Sequence, residues 1–237
     1  MSDIVKIGQL DCTVVCQTQS PQACVILCHG FGAPGTDLVP IAHEMIRSTP
    51  DLRDIAFIFP QAPIELDPMF DSRAWWMIDI EKIQSLIMSG DFRELQNSKP
   101  DLLETRRDQI TSIIEHAKIQ YQLPAAKIVV GGFSQGSMVA TDVALHYPEQ
   151  LGGLIVWSGT TLNESEWKVA ADKQSPLRVL QSHGRMDPVL PFAGAESLRH
   201  LLTQTNHKVQ FVPFQGEHTI GTESLVASVK MLAEMVN

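Results

Sequence analysis

A chain of 237 residues with 44% hydrophobic side chains can bury one sizeable core, and single α/β domains of this length are ordinary. Its formal net charge of -9, with Lys and Arg scattered, argues against charge-driven binding to nucleic acid or to an anionic membrane and favours solubility. No run of 18 apolar residues is present to span a bilayer, and the start Met1-Ser2-Asp3-Ile4-Val5-Lys6 lacks the pattern of a secretory signal.

In chain order, short runs near Val5 and Val14 predict an antiparallel edge pair. All four cysteines, Cys12, Cys16, Cys24 and Cys28, lie before residue 30. Their C-x-x-x-C spacings invite a zinc reading. However, Cys24, Ile26 and Cys28 fall on one face of a strand, where cysteine acts as a small buried hydrophobe. No metal is expected. Free thiols fit a reducing, cytoplasmic compartment, although spacing alone leaves disulfides open.

Cys24 to Cys28 is continuous and apolar, as a strand buried on both faces should be. A helix is predicted over 37–48 and a strand over Ile55–Pro60. Helices follow at 100–121, 136–146, 191–205 and 222–235, and strands at Ile128–Gly131, Leu154–Trp157, Leu177–Leu180 and Val209–Val212. Pro124, Pro148, Pro176 and Pro213 punctuate the boundaries. This alternation predicts an α/β fold: a mostly parallel, twisted sheet with helices on both faces, in a single domain over 1–237.

One stretch breaks the rhythm. Between Pro60 and Pro100 lie about 40 residues with no clear strand but many apolar side chains. These include Met69, Phe70, Trp75, Trp76, Met77, Ile78, Ile80, Ile83, Leu86, Ile87 and Met88. Long excursions in compact domains are often lids or binding loops. The segment 65–100 is expected to form a lid or an acyl-pocket wall, with Trp75, Trp76 and Met77 as candidate pocket residues, or to cover one edge of the sheet.

Gly132-Phe133-Ser134-Gln135-Gly136 has the form G-x-S-x-G. Composition alone yields this pattern in about one chain in fifteen of this length. Its setting adds the meaning: an apolar run precedes it and an apolar-periodic stretch follows, so Ser134 sits on a strand–turn–helix elbow. A serine hydroxyl needs a base, a group that orients the base, and donors for the oxyanion. In an α/β hydrolase the chain order is Ser, Asp or Glu, then His.

His146 lies in the helix after the elbow and reads as structural, while His200 and His207 flank a surface helix end and read as solvated. His183 and His218 each lie just past a predicted strand, where functional groups of open α/β sheets gather. Asp187, in Ser182-His183-Gly184-Arg185-Met186-Asp187-Pro188, is the candidate acid, and Pro188 disfavours helical geometry there. His218, which follows it in the chain, is the candidate base. Glu164, Glu166 and Asp172 lie in a polar stretch and read as solvated, and Glu217 is adjacent to His218 and would point elsewhere.

The expected oxyanion donors are the backbone N–H groups of Gln135 and of Phe31, the latter in Cys28-His29-Gly30-Phe31-Gly32-Ala33-Pro34-Gly35. A nucleotide-binding reading of these glycines fails, because neither G-x-G-x-x-G nor a following Lys-Ser/Thr is present.

Together these pieces resemble the phospholipase/carboxylesterase family of α/β hydrolases, which includes the acyl-protein thioesterases. The resemblance extends over nearly the whole chain, and four segments carry it: Leu27–Gly32, Gly132–Gly136, His183–Pro191 and Phe214–Ile220. Arg73-Ala74-Trp75-Trp76 also resembles a family segment beside the pocket. The resemblance implies Ser134, Asp187 and His218 as triad, Phe31 and Gln135 as oxyanion hole, and no cofactor. Two departures stand out. Phe31-Gly32-Ala33-Pro34 replaces the family's more common leucine followed by Gly-Asp, and the apolar stretch before residue 100 is longer than in the thioesterases.

The expected activity is a serine hydrolase acting on small-molecule or lipid acyl esters through an acyl-serine. A thioester substrate is the alternative. The same triad could also cleave amides, and a non-catalytic hydrolase-fold binding protein is the reading from another class. Oligomeric state is left open.

Overall fold

The computed structural model describes residues 4–79, 81, 85, 86 and 92–236. Its strands are β1 (Ile4–Ile7), β2 (Leu10–Val15), β3 (Ala23–Cys28), β4 (Ile55–Pro60), β5 (Ile64–Asp67), β6 (Ser72–Ala74), β7 (Ile128–Phe133), β8 (Gly153–Trp157), β9 (Arg178–Gly184) and β10 (Lys208–Phe214). The helices are α1 (Val39–Ser48), α2 (Phe92–Asn97), α3 (Leu103–Tyr121), α4 (Gln135–His146), α5 (Glu164–Lys173), α6 (Phe192–Gln204) and α7 (Thr222–Val236).

Eight strands form one sheet in the order β1-β2-β4-β3-β7-β8-β9-β10. β1 and β2 run antiparallel at one edge, and the pairings from β4 through β10 are parallel. Strand sequence tracks position. Ala-Cys-Val-Ile-Leu-Cys of β3 and Ile-Ala-Phe-Ile-Phe-Pro of β4 are buried at every residue, as interior parallel strands require. The edge strand β10 alternates exposed and half-buried positions along most of its length.

Because successive strand residues face opposite sides, the sheet divides the core in two. Cys24, Ile26, Val130 and Val156 pack with residues of α3, α4, α5 and α6 on one face. Val25, Leu27, Val129 and Ile155 pack with residues of α1 and α7 on the other. From β3 the chain steps to β4 on one side, and the later strands β7 to β10 are laid down on the other. The order therefore reverses between β3 and β7, and a crevice at the carboxyl ends of these two strands is where open α/β sheets collect ligands.

The excursion after Pro60 differs from its expected form. It contains an antiparallel ribbon, β5 with β6, and the short helix α2. The strands Ile-Glu-Leu-Asp and Ser-Arg-Ala are only four and three residues long, too short for the apolar–polar alternation of the first to mark a strand, and of their side chains only Ala74 is buried. Ile80, Ile83, Ile87 and Met88 lie outside the described residues. α5 was also absent from the predicted elements: its sequence is polar, and only Trp167, Ala170 and Ala171 are buried. No helix among the described residues is long and apolar enough to cross a membrane.

Candidate active site

β7 ends at Phe133 and α4 begins at Gln135, so Ser134 alone makes the turn, with φ 52° and ψ -121°. Such backbone geometry is strained for a residue with a Cβ and persists only where the surroundings over-determine it. Here Ser134 N–H donates to the Trp157 carbonyl at 2.9 Å. The flanking glycines explain the rest of the motif. A Cβ on Gly132 would lie 2.4 Å from Cys28 O, and one on Gly136 would lie 2.1 Å from the same atom. Strand and helix approach the end of β3 too closely for any side chain at either position.

The loops carrying Asp187 and His218 emerge side by side, because β9 and β10 pair in parallel up to Gly184 and Phe214. Arg185 N–H donates to Phe214 O and Met186 N–H to Gly216 O, both at 2.9 Å. His218 Nε2 then lies 2.9 Å from Ser134 Oγ, and its Nδ1 lies 2.7 Å from Asp187 Oδ2. A carboxylate only accepts, so Nδ1 carries the proton and Nε2 offers its lone pair to the serine hydroxyl. The Phe133 ring, with its centroid 4.9 Å away, packs against the imidazole.

Asp187 is held from several directions. Its Oδ1 accepts N–H groups of Val189 and Leu190, each at 2.8 Å. Its Oδ2 lies 3.2 Å from Nε2 of His183 as well as beside His218. Burial raises the carboxyl pKa, but hydrogen bonds from His183, His218 and the Leu190 N–H outweigh it and hold the group well below the usual carboxylate range. His183 is fully buried, and its Nε2 faces two acceptors, Asp187 Oδ2 and Leu190 O at 2.7 Å, so the Nε2–H tautomer is the one that fits. The sequence offered His183 only as a rival base; the structure makes it a support of the acid.

Gln135 N–H stands at the first turn of α4, where no intrahelical acceptor exists. Neither it nor Phe31 N–H donates to a protein acceptor among the described residues. Gly30 brings the Phe31 loop alongside Ser134: a Cβ there would lie 3.5 Å from Ser134 Cβ.

The three expected pocket residues part company. Trp75 is fully buried with its indole N–H on His29 O, Trp76 is almost buried, and Met77 is 63% exposed. Two other readings are corrected. His207 is buried rather than solvated, its Nδ1 accepting from Leu177 N–H at 3.0 Å. Glu166 is half-buried, and with Asp142 it engages Arg107. An open cleft of about 510 Å³ lies at the other end of the strands, among Gln150, Pro176, Arg178 and Lys208, and no triad candidate lines it.

Serine, imidazole and carboxylate in hydrogen-bonded file at the switch point of a mostly parallel sheet is the arrangement of serine hydrolases with the α/β-hydrolase fold. The chain belongs to the phospholipase/carboxylesterase family, whose model matches residues 10–236, and it is an enzyme that hydrolyses acyl esters. It is 28% identical over 222 residues to acyl-protein thioesterase 1 of Eremothecium gossypii, covering 90% of this chain and 87% of that one. It is 28% identical over 221 residues to acyl-protein thioesterase 1 homolog 1 of Dictyostelium discoideum, covering 91% and 89%. Among solved structures, esterase PE8 is similar with a TM-score of 0.78 at 25% identity, over 98% of this chain and 100% of that one. A carboxylesterase from Mesorhizobium loti, at 15% identity and TM-score 0.74 over 98% of both chains, is alike in fold.

Proposed function

We propose that Ser134 is the nucleophile, His218 the general base and acid, and Asp187 the group that orients His218, in a carboxylic-ester hydrolase working through an acyl-serine. The observation that carries this reading is the continuous file Oγ–Nε2–Nδ1–Oδ2 with steps of 2.9 and 2.7 Å. Ser134 Oγ attacks the acyl carbonyl while its proton passes to His218 Nε2. Asp187 keeps the required tautomer and stabilises the imidazolium without itself taking the proton. The N–H groups of Phe31 and Gln135 receive the oxyanion. His218 then protonates the leaving alcohol, activates a water, and the acyl-serine breaks down to acid and free enzyme.

We assign the acyl group to the face that carries Met69, Phe70 and Met77, apolar side chains that are exposed. The four cysteines are all unpaired, which supports a reducing, cytoplasmic setting. A fluorophosphonate probe labels the wild type and not Ser134→Ala; equal labelling of the two overturns the assignment.

A thioester of an acylated protein cysteine is the second reading, supported by the likeness to the Eremothecium gossypii relative, an acyl-protein thioesterase 1. The mechanism is unchanged and only the leaving atom differs. Matched oxygen esters and thioesters separate the two: a strong oxygen-ester preference in kcat/KM rejects the thioester version.

A further inference from the structure

Trp75 touches both halves of the oxyanion hole. On one side its backbone N–H donates to Gln135 Oε1 at 2.9 Å, and Gln135 Nε2 donates back to Trp76 O at 2.9 Å. These two bonds of opposite sense fix the Gln135 amide in a single orientation. On the other side the Trp75 indole N–H donates to His29 O at 2.9 Å. The His29 ring accepts Ala62 N–H at Nε2, so its Nδ1 carries the proton and donates to Gly30 O at 2.8 Å. The ribbon adds two more ties to the same loop, Gly32 N–H to Arg73 O at 2.8 Å and Arg73 N–H to Ala33 O at 3.2 Å. Behind Trp75, the buried Arg106 guanidinium donates from Nε to the Trp75 carbonyl at 2.6 Å. Every polar group of Trp75 is thereby used, and none is turned toward an acyl chain.

We propose that Trp75 is a positioning residue: by bridging His29 O to the Gln135 side chain, it sets the separation between the Phe31 and Gln135 N–H groups. This rests on the reading that those two N–H groups receive the oxyanion formed by Ser134. An oxyanion hole works only if its donors already stand where the charge will form. The donors here belong to different strand–loop connections, after β3 and β7, and backbone pairing alone fixes those ends only as far as Cys28 and Gly132. The Trp75 bridge carries the constraint past that point. A displacement of about 1 Å at such a site costs on the order of 100-fold in rate.

The test uses Trp75→Phe, which keeps the ring but loses the bond to His29, and Gln135→Met, which keeps the backbone N–H but loses the amide clamp. Kinetics on a p-nitrophenyl ester and affinity for an alkylboronic acid, a tetrahedral mimic, are measured for each. Each variant loses on the order of 10-fold or more in kcat with KM held within about twofold, and boronate affinity falls in parallel. The double variant is no worse than the poorer single one, because either bond alone releases the same separation. If Trp75→Phe does not fold, Gln135→Met carries the same kcat and boronate expectation. Wild-type kcat and boronate affinity in the folded variants, or losses that multiply in the double variant, overturn the proposal. Fluorophosphonate labelling of the wild type separates the two levels: failure to label refutes the role of Ser134 itself, whereas labelled protein with indifferent variants refutes only the bridge.

Discussion

Burial pushes the His29 imidazole pKa down from 6.5 to about 4, against smaller opposing contributions from its bond to Gly30 O and from Asp71. The folded value lies below that of the unfolded chain, so the unfolded chain takes up the proton first. The contribution is therefore fully present above about pH 6.5 and is lost as pH falls toward 4. At pH 5 the loss is about 2 kcal/mol, from roughly 1.5 pH units at about 1.4 kcal/mol each. Asp187 acts in the same direction but in a lower window: its depressed pKa contributes stability that is fully present above about pH 4 and is lost only as pH falls below that, outside the range from pH 7 to pH 5. Burial also lowers the pKa of His207, but that group is common to any pair of variants that keeps it. In urea unfolding, wild type thus loses about 2 kcal/mol more between pH 7 and pH 5 than His29→Gln does. Equal losses in the two proteins would show that His29 is not the group responsible. The same neutrality matters at the site, because an imidazolium cannot accept Ala62 N–H and would release the loop that bears Phe31.

At the scale of elements, legibility followed burial. Among the described residues, the six parallel strands and five of the seven α-helices given above are marked in sequence because each buries a continuous or periodic apolar face. α5 has little such face; it is held by polar ties instead. Asp142 of α4 is buried and accepts from Arg107 Nε at 2.7 Å and from the Trp167 indole at 2.8 Å, while Glu166 reaches Arg107 and Lys99. Such pairing joins α3, α4 and α5 across long sequence gaps, and a window of neighbouring residues shows only charge. The ribbon β5–β6 is unmarked for a related reason, since its short strands pair with each other and not with the main sheet. The elbow, by contrast, was legible because G-x-S-x-G sits between two elements that are each readable on their own. Trp75 was not: its partners Gln135 and His29 lie 60 and 46 residues away, and an aromatic pair in an apolar stretch reads equally as wall or as cover. The contact of His183 with Asp187 is not legible in sequence for a different reason. It depends on the loop folding back so that Leu190 O and Asp187 Oδ2 meet one ring nitrogen.

At the scale of the whole molecule, the site is assembled from loops after β3, β7, β9 and β10 together with the ribbon, so no contiguous segment contains it. The two apolar clusters share one sheet: Val129 and Val130 of β7 are neighbours in sequence yet belong to opposite faces. Neither cluster can form without the strands that complete the other. We therefore expect the described strands and helices to unfold as one cooperative unit. The strain at Ser134 gives a sensitive reporter. Its positive φ is imposed by β7, α4 and the Trp157 carbonyl together, and loosening any of them lets the turn relax and separates Oγ from His218. In a urea series, the initial rate of fluorophosphonate labelling at Ser134 and the far-UV circular dichroism should fall with the same midpoint. Loss of labelling at clearly lower urea, with the dichroism intact, would mean that the loops unfold as a separate, weaker unit. In that case the bridge through Trp75 does not bind the site to the core as tightly as its hydrogen bonds imply.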